Sequence, residues 1–332
     1  MKILVVSDGL ELGGIERSLI GMLGPLCDTG HEVDLYLFRH EGELFTSIDP
    51  RVTLLGPDEV FGNLKTPISE VLRAGRVRLG MVRLLAKLVA KLQVWLSRPS
   101  GQQALANAWA SPLAVDLSGS YDLALGFQGP HDFVLDHVSA RTKVGWVHTD
   151  YGYAELPVED RREYSMWSRL DFVATVGDAV AASFAARFPD LKYKALVVEN
   201  TFDPKVITAL AGPEGDVVNL VDSPRRVVLC TVGRYTHQKG FDIAVEACRL
   251  LVSRGLDLEW HAIGFGPDEK ELKALIEAHA LQDRFLLVGK KVNPYPCIRS
   301  CDIYVQPSRY EGKAVAVREA QTLGRPVVVR NF

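Results

Sequence analysis

The sequence contains no apolar run of the roughly 18 residues that a membrane-spanning helix needs. It also lacks a strong charge of one sign, because 38 basic and 41 acidic residues leave a net charge of −3. No general positive field therefore points to a nucleic acid as the partner. The first apolar run, residues 3–6, is short and soon turns polar, which predicts no signal peptide. These absences are typical of a soluble globular protein, and 332 residues suffice for about two domains.

Cysteine is scarce, with five residues that show no spacing typical of a metal site. Cys297 and Cys301 are one helical turn apart, but no nearby histidine completes a zinc set. Reduced thiols in a cytosolic compartment are therefore predicted, and buried free cysteine is the preferred interpretation of this pair. A dinucleotide fingerprint is also incomplete, because Gly264 and Gly266 lack the third glycine and the acidic partner of that motif.

Short apolar runs that end in polar or glycine-bearing loops recur along the chain and are typical of buried parallel strands. They alternate with helical patterns, so the sequence predicts an α/β fold. Glycine, proline and aspartate are frequent in residues 211–226, which indicates a linker. We expect domains at residues 1–205 and 226–332, joined by 206–225. The predicted strands are residues 1–7, 32–38, 121–127, 142–147, 172–176, 195–199, 227–232, 259–263, 285–289, 304–307 and 326–329.

The segment 304–329 predicts a strand, a loop with Glu311 and Gly312, a helix over about 313–323 and a second strand. A helix that begins at the carboxyl end of a parallel strand directs free N–H groups into the ligand crevice, where phosphate binds well. Two carboxylates flank this anion site, Glu311 before the helix and Glu319 about two turns later. Carboxylates accept hydrogen bonds from paired hydroxyl groups, as on a sugar or a ribose beside a diphosphate. The plain alternative is a solvated turn residue and a solvated helix residue.

The strand at 227–232 leads into the loop G-R-Y-T-H-Q-K-G, residues 233–240. Its two cations, Arg234 and Lys239, are five residues apart in a loop flanked by glycine, so both could reach one diphosphate. Arginine offers a bidentate fork and lysine a point charge, and both bind phosphate oxygens. An ordinary solvated loop is the alternative.

These motifs resemble those of a known family. Ser308, Glu311, Gly312, Glu319 and Ala320 are similar to the E-x7-E signature of the retaining GT-B glycosyltransferases of glycosyltransferase family 4. The loop with the arginine and the lysine is similar to that family's G-R-x4-K-G, and the resemblance extends over most of the chain. It implies the GT-B fold, with two Rossmann-like domains whose parallel sheets face each other across a cleft.

The resemblance also implies roles for residues of the second domain. Glu311 would contact the transferred sugar and Glu319 the ribose. The donor diphosphate would be held by Arg234, Lys239, Gly312, Lys313 and Ala314. Many relatives carry an aromatic residue where this chain has Lys313. Three residues would lie beside the nucleotide: Gly264, Gly266 and Lys290. Relatives continue for several tens of residues past the position of Phe332, so we expect the second domain to be incomplete.

Residues of the first domain complete the implied site. Gly13 and Gly14 resemble the family's G-G-x-E loop near donor and acceptor, although an ordinary βα turn would look alike. His148 follows the strand at 142–147, a place where side chains reach substrates. In the family this W-x-H segment faces the donor sugar, so His148 joins Glu311 as a candidate catalytic residue. His131 is a weaker candidate for the same cleft.

The composition changes abruptly at about 71–98, where basic residues are frequent and acidic residues are absent. At 100° per residue, one narrow sector contains Arg73, Arg76, Arg83, Lys87 and Lys91. The sector beside it contains Val77, Met81, Leu84, Leu85, Leu88, Leu92, Trp95 and Leu96. The segment therefore predicts a basic amphipathic helix. It either packs on the first sheet with a solvated face, or contacts anionic lipid head groups with Trp95 near the interface.

The expected function is transfer of a hexose-type sugar from a nucleoside-diphosphate sugar to a hydroxyl of a glycan, glycolipid or cell-envelope polymer, with retention of configuration. UDP is the first choice of donor nucleotide and GDP the second. We expect no cofactor and no required metal, because the chain lacks the D-x-D pair with which other glycosyltransferases bind one. The basic segment fits a cytoplasmic protein, peripheral on the inner face of the plasma membrane. The alternatives are a sugar-nucleotide epimerase of the same fold and a non-catalytic nucleotide-sugar-binding or membrane scaffold protein.

Overall fold

A computed structural model of the chain describes residues 1–95, 102–152, 161–213 and 226–331. The chain divides into two compact units. The first comprises residues 1–11 and 19–200, and the second comprises residues 12–18 and 201 onwards. Each unit is built around its own parallel sheet with helices beside it. The predicted α/β class with two Rossmann-like parallel sheets is confirmed.

The sheet of the first unit has seven strands: β1 Lys2–Ser7, β2 Glu32–Leu37, β3 Thr53–Leu55, β4 Tyr121–Gly126, β5 Ala140–Val147, β6 Phe172–Thr175 and β7 Ala195–Val197. Their order in the sheet is β3-β2-β1-β4-β5-β6-β7, and every pair is parallel. β1 is an interior strand between β2 and β4, and it is covered on both faces, with Leu4, Val5 and Val6 fully buried. The strand order reverses between β1 and β4.

Within the described ranges, seven α-helices accompany this sheet: α1 Gly14–Asp28, α2 Ile68–Arg73, α3 Val77–Trp95, α4 Gln102–Ala110, α5 Asp132–His137, α6 Arg161–Arg169 and α7 Asp178–Arg187. The core of this unit contains a cluster of aromatic side chains. Tyr36 stacks on Phe133 with ring centroids 4.7 Å apart, and Phe38 stacks on Phe61 at 5.2 Å. Such ring pairs add to the free energy gained from apolar burial alone.

The prediction of a single helix over about 71–98 is wrong in the extent of that helix. The segment forms two helices, α2 and α3, because Gly75 adopts a φ of +78° between them, a conformation that ends a helix readily. Residues 96–98 of the predicted helix lie outside the described residues. None of the helices in the described ranges is both long and apolar enough to cross a bilayer.

The sheet of the second unit has five strands: β8 Val227–Val232, β9 Leu258–Ile263, β10 Phe285–Gly289, β11 Ile303–Gln306 and β12 Val327–Val329. They are parallel, in the order β10-β9-β8-β11-β12. The helices are α8 Pro204–Leu210, α9 Phe241–Ser253, α10 Glu269–Ala278, α11 Tyr295–Ser300 and α12 Val315–Thr322. The predicted linker 206–225 begins inside α8, and residues 214–225 lie outside the described residues.

The cysteines are all free thiols, as predicted. Cys230, Cys248, Cys297 and Cys301 are buried in the second unit, and Cys27 of the first unit is partly exposed. Burial raises the pKa of Cys248 to about 11. No group of three or more metal-ligating side chains is arranged around a possible ion within the described part of the chain.

Candidate functional site

Lys239 and Glu311 meet at the carboxyl edge of the second sheet. Lys239 lies in the loop after β8 and Glu311 in the loop after β11, and these strands are neighbours. The strand order reverses between them, and such a reversal leaves a crevice where ligands bind. Nζ of Lys239 lies 2.6 Å from Oε1 and 2.8 Å from Oε2 of Glu311. Two residues predicted for one site therefore contact each other directly.

A chain of polar side chains fixes the carboxylate of Glu311. The hydroxyl of Ser308 donates to its Oε1 at 2.6 Å, and the amide of Gln306 donates to the same oxygen at 3.2 Å. The hydroxyl of Tyr304 donates to Oε1 of Gln306 at 2.8 Å. With Lys239, these groups leave the Glu311 side chain only 5% exposed. A carboxylate held by several donors keeps a defined position for a substrate group.

Gln306 and Tyr304 were not singled out from the sequence, although a signal was present. Residues two apart on a strand point to the same face, so polar groups at 304 and 306 share one side of β11. Gln306 is only 2% exposed. A buried polar side chain near the carboxyl end of a central strand needs hydrogen-bond partners, and here those partners are functional candidates.

A second ion pair joins the loop after β11 to the first turn of α9, the helix that follows the loop after β8. The guanidinium of Arg309 donates to both carboxylate oxygens of Asp242, at 2.8 Å and 2.6 Å. The loops approach each other closely at Gly240, whose φ is +66°. An added Cβ there would lie 2.3 Å from the carbonyl oxygen of Pro307. Glycine is therefore required at this position to let the two loops meet.

The turn that contains Gly264 and Gly266 packs on the same loop through its backbone. An added Cβ at Gly264 would lie 1.8 Å from the carbonyl oxygen of Gly233, and one at Gly266 would lie 2.3 Å from that of Tyr235. The ammonium of Lys290 lies 4.6 Å from the centroid of the Phe265 ring, a cation–π contact. The glycines are thus explained by backbone packing, and their place beside a nucleotide stays a prediction.

Arg234 is not joined to this cluster. Its side chain is exposed, and it makes no hydrogen bond or salt bridge to any residue that the structure describes. Gly312, Lys313 and Ala314 form the loop before α12, which begins at Val315, two residues later than predicted. Ala314 has a ψ of 86°, which is outside the helical range.

Glu319 is buried and bonded through a tyrosine to an arginine. The hydroxyl of Tyr295 donates to Oε1 of Glu319 at 2.8 Å and accepts a hydrogen bond from Nη1 of Arg17 at 3.0 Å. Arg17 also donates to the carbonyl oxygen of Val292 at 2.7 Å. Glu319 is only 3% exposed, so the alternative of a solvated helix residue is wrong. Tyr295 and Arg17 were not predicted, because nothing in their spacing relates them to Glu319.

The predicted glycine loop lies beside these residues. Gly14 begins α1, and an added Cβ there would contact Cγ2 of Val315 at 3.8 Å. Residues 12–18, which include Gly13, belong to the second unit by their contacts. The start of α12 is therefore bordered by this segment, where the predicted diphosphate site would be.

His148 lies in the first unit, directly after β5. Its Nε2 is 2.7 Å from the carbonyl oxygen of Phe127, and its ring is stacked on Trp146. A carbonyl oxygen only accepts hydrogen bonds, so Nε2 carries the proton of the neutral ring and Nδ1 is an acceptor. A sugar hydroxyl could donate to this Nδ1. His131 is buried, and its Nδ1 has no hydrogen-bond partner among the described residues.

We expect His148 to titrate far below an ordinary histidine. Burial lowers its pKa to about 4, despite the hydrogen bond to Phe127, which raises it. In the unfolded chain the pKa of a histidine is about 6.5. The contribution to folding stability is therefore complete above about pH 6.5 and is lost as the pH falls towards 4. The measurement is an NMR titration of the ring Cε1–H shifts, with His148→Gln to assign the signal, and a midpoint near 6.5 would contradict the lowered pKa.

Comparisons with known proteins relate part of the chain to a described family. Residues 219–332, which include Lys239, Glu311 and Glu319, match the family described as Glycosyl transferases group 1. The putative colanic acid biosynthesis glycosyltransferase WcaL of Salmonella typhimurium is 34% identical over 108 residues. That stretch covers 30% of this chain and 27% of WcaL, so the chain matches little more than a quarter of this relative's length.

Two solved structures share the fold over nearly the whole chain. TarM of S. aureus, in a complex with Fondaparinux, alpha-GlcNAc-glycerol and UDP, has a TM-score of 0.64 and 14% identity, and the match covers 99% of this chain and 85% of TarM. HepE of Anabaena, in complex with UDP and glucose, has a TM-score of 0.63 and 18% identity, with 99% and 80% covered. The family match is thus confined to residues 219–332, and the fold is shared over nearly the whole chain.

Proposed function

We propose that this chain is a retaining glycosyltransferase that transfers a hexose-type sugar from a UDP-sugar to a hydroxyl of a glycan, glycolipid or cell-envelope polymer. The observation that carries the proposal is the contact of Lys239 with Glu311 at the reversal point of the second sheet. We assign this cation to the leaving diphosphate and the carboxylate beside it to a sugar hydroxyl. Glu319, buried on α12, is the group we assign to the ribose.

The chemical step needs stabilisation of negative charge on the departing diphosphate. Lys239, Arg234 and the N–H groups of 312–314 are the donors we assign to it, since donors fixed before the reaction stabilise developing charge most effectively. Departure of the diphosphate breaks the bond from the sugar carbon to the phosphate oxygen. The acceptor oxygen forms the new bond on the same face, and its proton passes to the leaving phosphate. His148 Nδ1 and Glu311 accept hydrogen bonds from sugar hydroxyls.

UDP is proposed as the donor nucleotide before GDP, because both structural relatives described above were solved with UDP. The name of WcaL, a colanic acid biosynthesis glycosyltransferase, supports a polysaccharide acceptor in the same way. We propose turnover without a metal, on the lack of a D-x-D pair in the sequence. We also propose a cytoplasmic protein, peripheral on the inner face of the plasma membrane, with contact through about 71–98.

Calorimetric titration with UDP, GDP and ADP, each with magnesium and with EDTA, tests the donor. We expect UDP to bind at least roughly 10-fold more tightly than the other two, which corresponds to about 1.4 kcal/mol. EDTA should leave this affinity unchanged. No binding by any of the three nucleotides would contradict the proposal, and binding that requires magnesium would contradict the metal-free mechanism.

The reaction type is tested with UDP-sugars and a panel of glycan acceptors. Release of free UDP together with an α-linked product from an α-linked donor, seen by NMR, is the expected result. An altered sugar still attached to UDP would indicate the epimerase. Binding of the UDP-sugar without any release or conversion would indicate the non-catalytic alternative.

A further inference from the structure

One face of α3 consists of large apolar side chains that are exposed. This apolar band comprises Val77, Met81, Leu84, Leu85, Leu88, Leu92 and Trp95, with exposed fractions from 47% for Leu84 to 78% for Trp95. At 100° per residue the band fills one sector about 100° wide along the whole helix. Single exposed apolar residues are common, but a continuous band marks an interaction surface.

The band is distinct from the face by which α3 packs on its own unit. That inner face contains Leu79, Ala86 and Ala90, which are 4%, 0% and 3% exposed. Ala86 and Ala90 pack with Leu105 and Ala106 of α4. The helix is therefore apolar on two faces. One is buried in the fold, and the other, predicted from the sequence to lie beside a basic sector, faces outward.

Cations flank the band on both sides. Arg78 lies at one edge, and Lys87 and Lys91 lie at the other, all three exposed. Not all of the cations predicted for the basic sector are available. Arg83 donates to the carbonyl oxygens of Asn63 and Thr66, and Arg76 is paired with Glu59. No acidic residue occurs anywhere in residues 71–95.

We propose that the apolar band and its flanking lysines and arginine form a docking surface for an anionic lipid bilayer, with α3 lying in the plane of the head groups. Apolar side chains would enter the acyl boundary while the cations contact the lipid phosphates, and Trp95 suits the interface. Charge argues against a second copy of this helix as the occupant. Two such helices would bring Lys87, Lys91 and Arg78 together with no acidic residue on α3 to pair with them.

This inference rests on the proposed location at a membrane but not on the donor chemistry, and it is tested without nucleotide. The protein is mixed with vesicles of phosphatidylcholine alone or with phosphatidylglycerol, and the bound fraction is measured by co-sedimentation. We expect binding to the anionic vesicles that falls at high salt but does not vanish, since screening weakens the charges and not the apolar contact. Binding that disappears completely at high salt would overturn the role of the band.

Matched variants distinguish the contribution of the apolar band to binding from the contribution of the flanking cations. Leu84→Gln/Leu88→Gln should lower the partition coefficient at least 10-fold, whereas Val115→Gln, at a side chain that is 79% exposed elsewhere in the first unit, should leave it unchanged. Lys87→Gln/Lys91→Gln should lower anionic binding and reduce its salt dependence. All these side chains are exposed, so circular dichroism spectra should be unaltered. Equal binding of the leucine variant and the parent protein would overturn the proposal.

Trp95 gives a direct readout of insertion. It is far more exposed than Trp109, Trp146, Trp167 and Trp260. Brominated lipids should quench the emission on binding, and Trp95→Phe should abolish that quenching. Absence of quenching would refute the lipid surface. If the parent protein does not bind vesicles but forms a dimer, and Leu84→Gln/Leu88→Gln dissociates that dimer, the band would instead be assigned to a protein contact.

Discussion

Replacing Lys239 with methionine is expected to lower the affinity for UDP by roughly 10- to 150-fold. Methionine keeps the length of the side chain but removes the charge that contacts both carboxylate oxygens of Glu311. A diphosphate entering the crevice would then meet a carboxylate that is only 5% exposed and has lost its cation. Hydrogen bonds to charged groups contribute about 1.5–3 kcal/mol, and each 1.4 kcal/mol is a factor of ten. Calorimetric titration with UDP measures the effect.

The rate of transfer should also fall, by roughly 10²- to 10³-fold, because negative charge develops on the leaving diphosphate in the transition state and would lose the cation that stabilises it. Lys270→Met, at an exposed position on α10, is the matched control and should change neither quantity. UDP affinity for Lys239→Met within two- or threefold of the parent value would show that Lys239 does not contact the diphosphate.

A double variant tests whether the two charges act together. Glu311→Gln added to Lys239→Met removes the uncompensated carboxylate, so part of the lost UDP affinity should return. Transfer should not return, because the carboxylate assigned to the sugar is gone. Additive effects of the two substitutions would indicate that the ion pair has no role in binding.

The second large effect is expected at Glu319, whose replacement by alanine should lower UDP affinity by roughly 10- to 100-fold through loss of the acceptor for ribose hydroxyls. Glu319→Gln keeps the shape of the side chain and leaves a weaker, uncharged acceptor. If Glu319 contacts the ribose, the difference in affinity between the parent protein and Glu319→Gln should be smaller for 2′-deoxyuridine diphosphate than for UDP. An undiminished difference would assign Glu319 a structural role instead.

The pH dependence of UDP binding distinguishes the effect of Tyr295 from the effect of Glu319. Burial raises the pKa of Glu319, whereas the charge of Arg17 and the hydrogen bond from Tyr295 lower it. The ionised carboxylate is the better acceptor, so UDP affinity should rise as the pH passes through this pKa. Tyr295→Phe removes a donor that favours the ionised form, so the rise should move to higher pH. Glu319→Gln should show no rise, and a flat profile in the parent protein would contradict the assignment.

The contribution of Glu319 to folding stability should change with pH in the opposite direction to UDP affinity. A carboxyl group with a raised pKa binds its proton more tightly in the fold than in the unfolded chain. Its contribution is therefore complete below the unfolded value and is lost as the pH rises through the folded value. Melting curves of the parent protein and Glu319→Gln, compared over the same pH range, measure this loss.

The strands could be predicted from the sequence because a parallel strand covered on both faces must be a continuous apolar run, as in β1 and β8. β3 was missed because Thr53–Leu55 is three residues long and not fully buried, so it has no such run. Lys239 and Glu311 could be assigned to one site because each follows a strand in a glycine-bearing loop. Their direct contact could not be predicted, since it depends on β8 and β11 being neighbours across 72 residues.

The outer face of α3 could not be predicted for a related reason. The sequence shows an apolar sector beside a basic one, and an apolar sector is ordinarily the side that packs on the fold. In the structure the small side chains of Ala86 and Ala90 pack inward together with Leu79, and the leucines of the apolar band face outward. Periodicity identifies the sectors of a helix but does not show which of them the rest of the unit covers.

The distribution of cysteines gives the second unit its own chemical reporter. Four thiols are buried in the second unit and become reactive only when that unit opens, whereas Cys27 of the first unit is partly exposed and reacts without such opening. In one unaltered protein, a reagent that modifies thiols therefore measures the opening of the second unit, with Cys27 as an internal reference. A ligand that stabilises the second unit slows modification of its four thiols and leaves that of Cys27 unchanged, so binding of a nucleotide to this unit is detected by counting modified cysteines in a mass spectrum.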